Sequence, residues 1–239
     1  MFHPKGPTIF ELINQGLSST KKGYDLLAPK FDYTRFMTPP AIVEATANYL
    51  RLEGSFDCAI DLCTGTGAGI NALLPIVREK ILGVDWSEPM LTEARRKFPG
   101  SPNNPIICLA CEDIFNLQYL EEFDLATCFG ALGHIEKNRQ KEFAAVVHSI
   151  LRPGGIFAFV TSEKPSWLSA TFWLALSFDW TMKIRNLLIQ PKFIMYYLNF
   201  LVPEALTLFD KEKWISVKIM PMEISGKLTE LRLVVAKKK

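Results

Sequence analysis

Three glycines, Gly65, Gly67 and Gly69, close the run Ala59-Ile-Asp-Leu-Cys-Thr-Gly-Thr-Gly-Ala-Gly69. Residues without a Cβ let the backbone turn sharply and come close to a ligand. Here they stand where an apolar run passes into an amphipathic one, the strand-to-helix edge at which open α/β sheets bind ligands and where a helix start offers free N–H groups. Carboxylates accompany this turn. Asp61 precedes the glycines and can accept hydrogen bonds from an ammonium group or from waters around it, whereas its charge would repel a pyrophosphate. Asp85, in Gly83-Val-Asp85-Trp86-Ser87, can accept from both hydroxyls of a ribose. Trp86 offers a flat face to an adenine ring, and Asp113, in Cys111-Glu112-Asp113-Ile114, can accept from an adenine amino group. His134 is the candidate general base, because an imidazole titrates near neutrality. Its competing reading is a histidine that caps the following helix.

Spacing discriminates between the ligands such a loop can hold. A dinucleotide fingerprint starting at Gly65 requires a small residue at position 70, where this chain has Ile70, so an NAD-dependent oxidoreductase is disfavoured. A phosphate-cradling P-loop requires Lys-Ser/Thr after the glycines, and Asn71-Ala72 stands there. The amino-acid end of S-adenosylmethionine remains the ligand that suits Asp61.

Short apolar runs alternating with amphipathic segments from residue 41 onward predict βα units and a mostly parallel sheet. Strands are predicted at 58–62, 81–85, 106–110, 124–129 and 156–161, and helices at 69–78, 87–97 and 138–151. Ser87 reads as an N-cap, and Arg152-Pro-Gly-Gly155 as a turn before the fifth strand. Residues 214–220 and 231–236 read as an antiparallel hairpin joined across Ser225-Gly226. The expected fold is α/β, a doubly wound Rossmann-like sheet of seven strands, mostly parallel, with this hairpin at its C-terminal end and a helical cap inserted before it. The expected division is a helical lid segment over 1–40, a core over 41–162, an apolar helical cap over 163–210 and the hairpin over 211–239. Thr8-x-x-Glu11 reads as a capping box, followed by Ile9, Ile13 and Leu17 on one helix face that would pack on the body of the protein or form a lid.

With 49% apolar and 22% charged residues, the chain has the composition of a globular protein rather than a disordered one. A net charge of +2 gives no reason to expect a nucleic-acid partner. Cys58, Cys63, Cys108, Cys111 and Cys128 lie in or beside predicted strands, as reduced core thiols of a cytoplasmic protein would. The CxxC pair Cys108/Cys111 lacks the further ligands of a zinc site, so no metal is expected. The N-terminus has no secretory signal pattern.

In the order of these motifs, residues 57–161 resemble the core of class I S-adenosylmethionine-dependent methyltransferases. The resemblance implies that Asp61, Cys63, Gly65 and Gly67 hold the methionine portion of the cofactor, that Asp85 binds its ribose and that Asp113 meets the adenine amino group. It also implies that Trp86 and Ile114 flank the adenine and that Phe129 and Gly130 lie beside the methionine portion and its methyl group. Cys63-Thr64 before the glycine pair is closer to the quinone C-methyltransferase branch, which also resembles this chain at Tyr24-Asp-Leu-Leu-Ala28 and Phe31-Asp32 and implies a lid role for Tyr24.

An activated methyl donor leaves the protein mainly to align an acceptor and exclude water. The stretch from Trp167 to Pro203, rich in aromatic side chains, is the part expected to meet a hydrophobic small-molecule acceptor, such as a quinone, a lipid-like compound or a secondary metabolite. Its charge-free runs are too short to span a bilayer. It reads as a cap over an apolar pocket, as an interfacial element in peripheral contact with a membrane over 167–203, or as a dimer face. A non-catalytic protein that binds the cofactor and recruits a partner on the same fold is the alternative function.

Overall fold

Apolar runs too short for helices form the centre of the computed structural model, which describes residues 3–99, 105–224 and 227–239. They are β1 (Phe56–Leu62), β2 (Val77–Asp85), β3 (Ile106–Cys111), β4 (Phe123–Cys128) and β5 (Leu151–Ser162). All pair in parallel in the order β3-β2-β1-β4-β5. Two further strands, β6 (Trp214–Ile224) and β7 (Lys227–Lys238), complete a seven-stranded sheet, with β7 antiparallel between β5 and β6. The expected seven-stranded, mostly parallel fold is therefore present. A dinucleotide-binding Rossmann sheet has a parallel sixth strand beside the fifth, and the antiparallel β7 stands there instead. The expected hairpin turn at Ser225-Gly226 lies outside the described residues.

Helices α3 (Pro40–Glu53), α4 (Ala68–Leu73), α5 (Glu88–Lys97) and α6 (Gln140–Ile150) cover the sheet. Successive strand residues point to opposite faces. Ile60 and Leu62 accordingly pack with Phe143, Val147 and Ile150 of α6, while Ala59 packs with Leu50 of α3 and with Ile70 and Leu73 of α4. With both faces covered, the inner strands are apolar throughout rather than alternating.

Two predicted boundaries shift for identifiable reasons. The helix expected over 69–78 ends at Leu73, because Pro75 cannot continue it, and β2 begins at Val77. The turn expected at 152–155 is absorbed into β5 as an irregularity: the β4 partner register jumps from Phe123↔Leu151 to Leu125↔Ile156, with Gly154 at φ +78°.

The remaining helices stand at the carboxyl edge of the parallel strands. α1 (Ile9–Leu17) and α2 (Thr20–Leu27) precede the sheet, and α7 (Ala170–Leu188) and the short α8 (Val202–Ala205) follow β5. The capping box of α1 forms, with the Glu11 N–H donating to Thr8 Oγ1 and the Thr8 N–H donating to Glu11. Its apolar face, in contrast, is not packed on the body of the protein: Ile9 and Ile13 are more than half exposed. The cysteines also depart from a uniform core placement. Cys128 is buried, but Cys111, at the end of the edge strand β3, is exposed.

Candidate active site

Asp61 is the last-but-one residue of β1 and is almost completely buried. Its two oxygens accept hydrogen bonds from the Thr64 hydroxyl at 2.6 Å and the Thr127 hydroxyl at 2.8 Å. These neutral donors do not offset its burial, which raises the carboxyl pKa to about 7. The chain turns directly over it, with Gly65 and Gly67 at φ +54° and +92°. A Cβ at Gly69 would lie 2.1 Å from Asp61 Oδ1, so this position must be glycine for the loop to close on the carboxylate.

Asp85, at the end of β2, lies beneath the same turn. Its Oδ2 accepts the Gly65 N–H at 2.8 Å and its Oδ1 the Ser87 N–H at 2.9 Å, but desolvation still raises its pKa. The Gly65 N–H is thus engaged with the carboxylate that it orients rather than left free for a ligand, as the sequence had suggested. Because α4 is only six residues long, the floor is defined more by the two carboxylates than by a helix end. Neither Asp61 nor Asp85 is paired with a cationic side chain among the described residues.

These groups open onto a cavity of about 330 Å³, within the range of small-molecule sites. Trp86, Asp113, Ile114, Phe129, Gly130 and Cys63 line it, as do Tyr24 and His134 from opposite ends of the sequence motif set. Gly67 alone among the predicted site residues lies outside the lining. The ring of Phe98 packs so closely that a Cβ at Gly67 would meet it at 2.4 Å, which places Gly67 in the support of the loop. Asp113 uses one oxygen to accept the Phe115 N–H at 3.0 Å, capping the turn that follows β3.

The roof comes from α2 and the 193–198 loop, which meet at the segment after β4. The Tyr24 hydroxyl of α2 and His134 Nε2 are 2.7 Å apart. His134 Nδ1 contacts the Ile194 carbonyl, which can only accept, so Nδ1 carries the proton and Nε2 accepts from Tyr24. Burial lowers the His134 pKa and raises that of Tyr24, keeping both neutral near pH 7. His134 therefore caps no helix; it links the loop after β4 to the roof. A second contact reinforces that seam: the Tyr196 N–H donates to the Gly133 carbonyl at 3.0 Å, and a Cβ at Gly133 would lie 2.7 Å from the Tyr196 carbonyl oxygen.

The N-terminal segment also grips the loops that follow β1 and β2. Asp25 accepts the Ser87 hydroxyl at 2.6 Å, and Asp32 accepts the Thr66 hydroxyl at 2.7 Å while pairing with Lys97. Sequence reasoning singled out this Tyr24–Asp32 stretch only by resemblance and assigned no role to these carboxylates. It also missed Phe36, Phe115 and Met195, which with Phe31 supply apolar lining; scattered apolar side chains outside any periodic pattern carry no signal of which cavity they face.

Residues 59–155 match a family model described as a methyltransferase domain. Over that span the chain is similar to methyltransferase domains. Its motif order resembles that of the class I, S-adenosylmethionine-dependent type. Over 113 residues it is 34% identical to a demethylmenaquinone methyltransferase of Desulfitobacterium hafniense (strain Y51), a match that covers 45% of this chain and 43% of that protein. A demethylmenaquinone methyltransferase of Symbiobacterium thermophilum is 29% identical over 112 residues, covering 46% and 44%. The matched region thus spans less than half the length of these curated relatives. Among solved structures, the N-methyltransferase NodS from Bradyrhizobium japonicum WM9 in complex with S-adenosyl-L-homocysteine superposes with a TM-score of 0.63 at 16% identity, covering 92% of this chain and 99% of that one. Magnesium protoporphyrin IX methyltransferase from Synechocystis PCC 6803 with the same ligand gives 0.59 at 16% identity, covering 84% and 83%. At such identities the likeness to the solved structures is one of fold.

Proposed function

We propose that this protein transfers a methyl group from S-adenosylmethionine to a hydrophobic small molecule, with a quinone or a similar hydroxylated ring as the favoured acceptor. The observation that carries the reading is the buried pair Asp61 and Asp85. Two desolvated carboxylates without a cationic partner among the described residues favour a ligand that brings positive charge and hydroxyl donors together. The methyl donor has both, in its ammonium and sulfonium groups and its ribose. Asp61 would hold the amino-acid end, Asp85 the ribose hydroxyls and Asp113 the adenine amino group. Trp86 and Ile114 would flank the adenine, with Phe129, Gly130 and Cys63 beside the methionine portion, and Gly67 would support the loop. When bound, the cofactor supplies a methyl group already activated by its positive sulfur.

The protein's remaining tasks are to orient the acceptor, exclude water and manage a proton. Phe31, Phe36, Phe115 and Met195 make the space beside the carboxylates apolar, and the relatives named for a demethylated quinone support an acceptor of that kind. Tyr24 and His134 provide the proton path. The Tyr24 oxygen can take a proton from an acceptor hydroxyl as its own proton passes to His134 Nε2, while Nδ1–H stays on the Ile194 carbonyl.

Isothermal titration of the full chain should show binding of S-adenosylmethionine and S-adenosylhomocysteine, weakened about 100-fold by Asp85→Ala, which removes charged hydrogen-bond acceptors. Absence of binding for both ligands would sink the cofactor assignment. Binding without transfer of labelled methyl into any organic-soluble compound of a cell extract would instead favour the non-catalytic alternative.

A further inference from the structure

Helix α7 is built with its polarity inverted. Its buried positions are Asp179, Met182 and Asn186, two of them polar. Trp173, Leu174, Trp180, Ile184, Leu187 and Leu188 occupy the opposite face and are all more than half exposed. Their spacing follows the helical period, so they form one continuous stripe. The buried polar groups are fully used. Asp179 accepts the Tyr197 and Leu198 N–H groups at 2.7 and 3.0 Å, and Asn186 bonds both the N–H and the carbonyl of Phe193 at 2.9 Å. Helix α1 repeats the inversion, with Gln15 buried and Ile9, Phe10, Ile13 and Leu17 exposed. The two helices adjoin, since Arg185 of α7 donates to the carbonyls of Gly16 and Ser18 at 2.8 Å.

An exposed apolar surface of this extent marks an interaction site, and the charges around it indicate its occupant. Over residues 164–197 the sole acid is the buried Asp179; over 3–22 it is Glu11, which is engaged by Lys30 at 2.7 Å. The exposed cations are Lys5, Lys21, Lys22, Lys164, Lys183 and Lys192. A second copy of this face would set lysine against lysine, whereas anionic headgroups would neutralise them while the acyl boundary receives the tryptophans and leucines. No described helix is long and apolar enough to cross a membrane, so contact through this face would be interfacial. We propose that α1 and α7 form a docking face for an anionic lipid surface. This inference stands independently of the methyl-transfer reading. It also ties membrane contact to the cavity, because the polar face of α7 holds the 193–198 loop that carries the Ile194 carbonyl, Met195 and Tyr197.

Flotation of the full chain with extruded vesicles tests it. The protein should rise with phosphatidylcholine vesicles containing phosphatidylglycerol, at least tenfold more weakly with phosphatidylcholine alone, and less at about 0.5 M salt, where screening is nearly complete. Trp180→Ser combined with Leu187→Ser should weaken flotation at least tenfold with an unchanged thermal unfolding transition. Lys183→Glu combined with Lys192→Glu should abolish the preference for phosphatidylglycerol. Failure to float with either vesicle, or binding indifferent to the apolar pair, overturns the proposal. So does light scattering that finds a dimer which the Trp180→Ser/Leu187→Ser variant dissociates, since the face would then belong to a second copy.

Discussion

The floor of the cavity and its roof solve the same burial problem in opposite ways. Beneath the glycine loop, Ala59, Ile60 and Leu62 of β1 are fully buried in aliphatic surroundings, and the polar groups, Asp61 and Asp85, are concentrated where the strands end. In the roof, the side chains buried along α1 and α7 include Gln15, Asp179 and Asn186, while leucine and tryptophan face outward. The floor gains from area removed from water, worth about 25 cal/mol per Å². The roof is held by directed hydrogen bonds that contribute roughly 0.5–1.5 kcal/mol each but cost more when left unpaired. A hydrophobic scaffold therefore fixes the motif residues, and a polar lattice fixes the opposite side of the cavity.

Substitutions can break or sharpen this contrast. The largest effect is expected at Asp61. Burial raises its pKa from 3.8 to about 7, so between those values the folded state holds a proton that the unfolded chain has released. The stability associated with this proton is full below pH 4 and is lost as pH rises through 7. Asp61→Asn removes the titration. The variant should match the parent near pH 4 and exceed it at pH 8 by up to about 4 kcal/mol, read as a Tm rise of roughly 2–4 °C per kcal/mol. An identical pH–stability profile in parent and variant would refute the desolvated floor.

Next in size is a pair of neighbours on α7. Asn186→Leu, hydrophobic and of similar length, strands the Phe193 N–H and carbonyl and should cost at least about 3 kcal/mol in urea unfolding. Leu187→Ser, one residue on, should stay within about 0.5 kcal/mol. The reverse order would mean that the apolar face, not the polar one, supports the helix. Among substitutions that remove a hydrogen bond, the smallest effect is at Tyr24→Phe, which deletes one bond to His134 and should cost about 1 kcal/mol. In a double-mutant cycle with His134→Ala, a coupling below about 0.5 kcal/mol would show the contact to be incidental.

The floor was largely legible in the sequence because strand burial and glycine spacing are local signals: β1, β2, the loop and the acids at the strand ends follow from short windows. The roof was not. Periodicity identified an amphipathic α1 from Ile9, Ile13 and Leu17, yet an amphipathic helix has two faces, and nothing local states which one turns inward. Only the partners decide, and Arg185, Lys192 and Ile194, which meet the α1–α2 corner, lie over 160 residues away in sequence. His134 was identified as a base candidate by residue type; its partner Tyr24, 110 positions earlier, was singled out only by a short resemblance, and their contact could not be read from either.

The Arg185 guanidinium donates to the carbonyls of Gly16, Ser18 and Pro191 and so stitches the start of the chain to a stretch near its end. This has a temporal consequence. Contacts at such separations carry a large loop-closure cost and form late. On a ribosome, α1 and α2 emerge before α7 and have no place to settle until it is made, so the central sheet should mature beneath an unfinished cover. Pulse-labelled hydrogen exchange during refolding should then protect the amides of β1 and β4 before those of α1, with α1 and α7 gaining protection together.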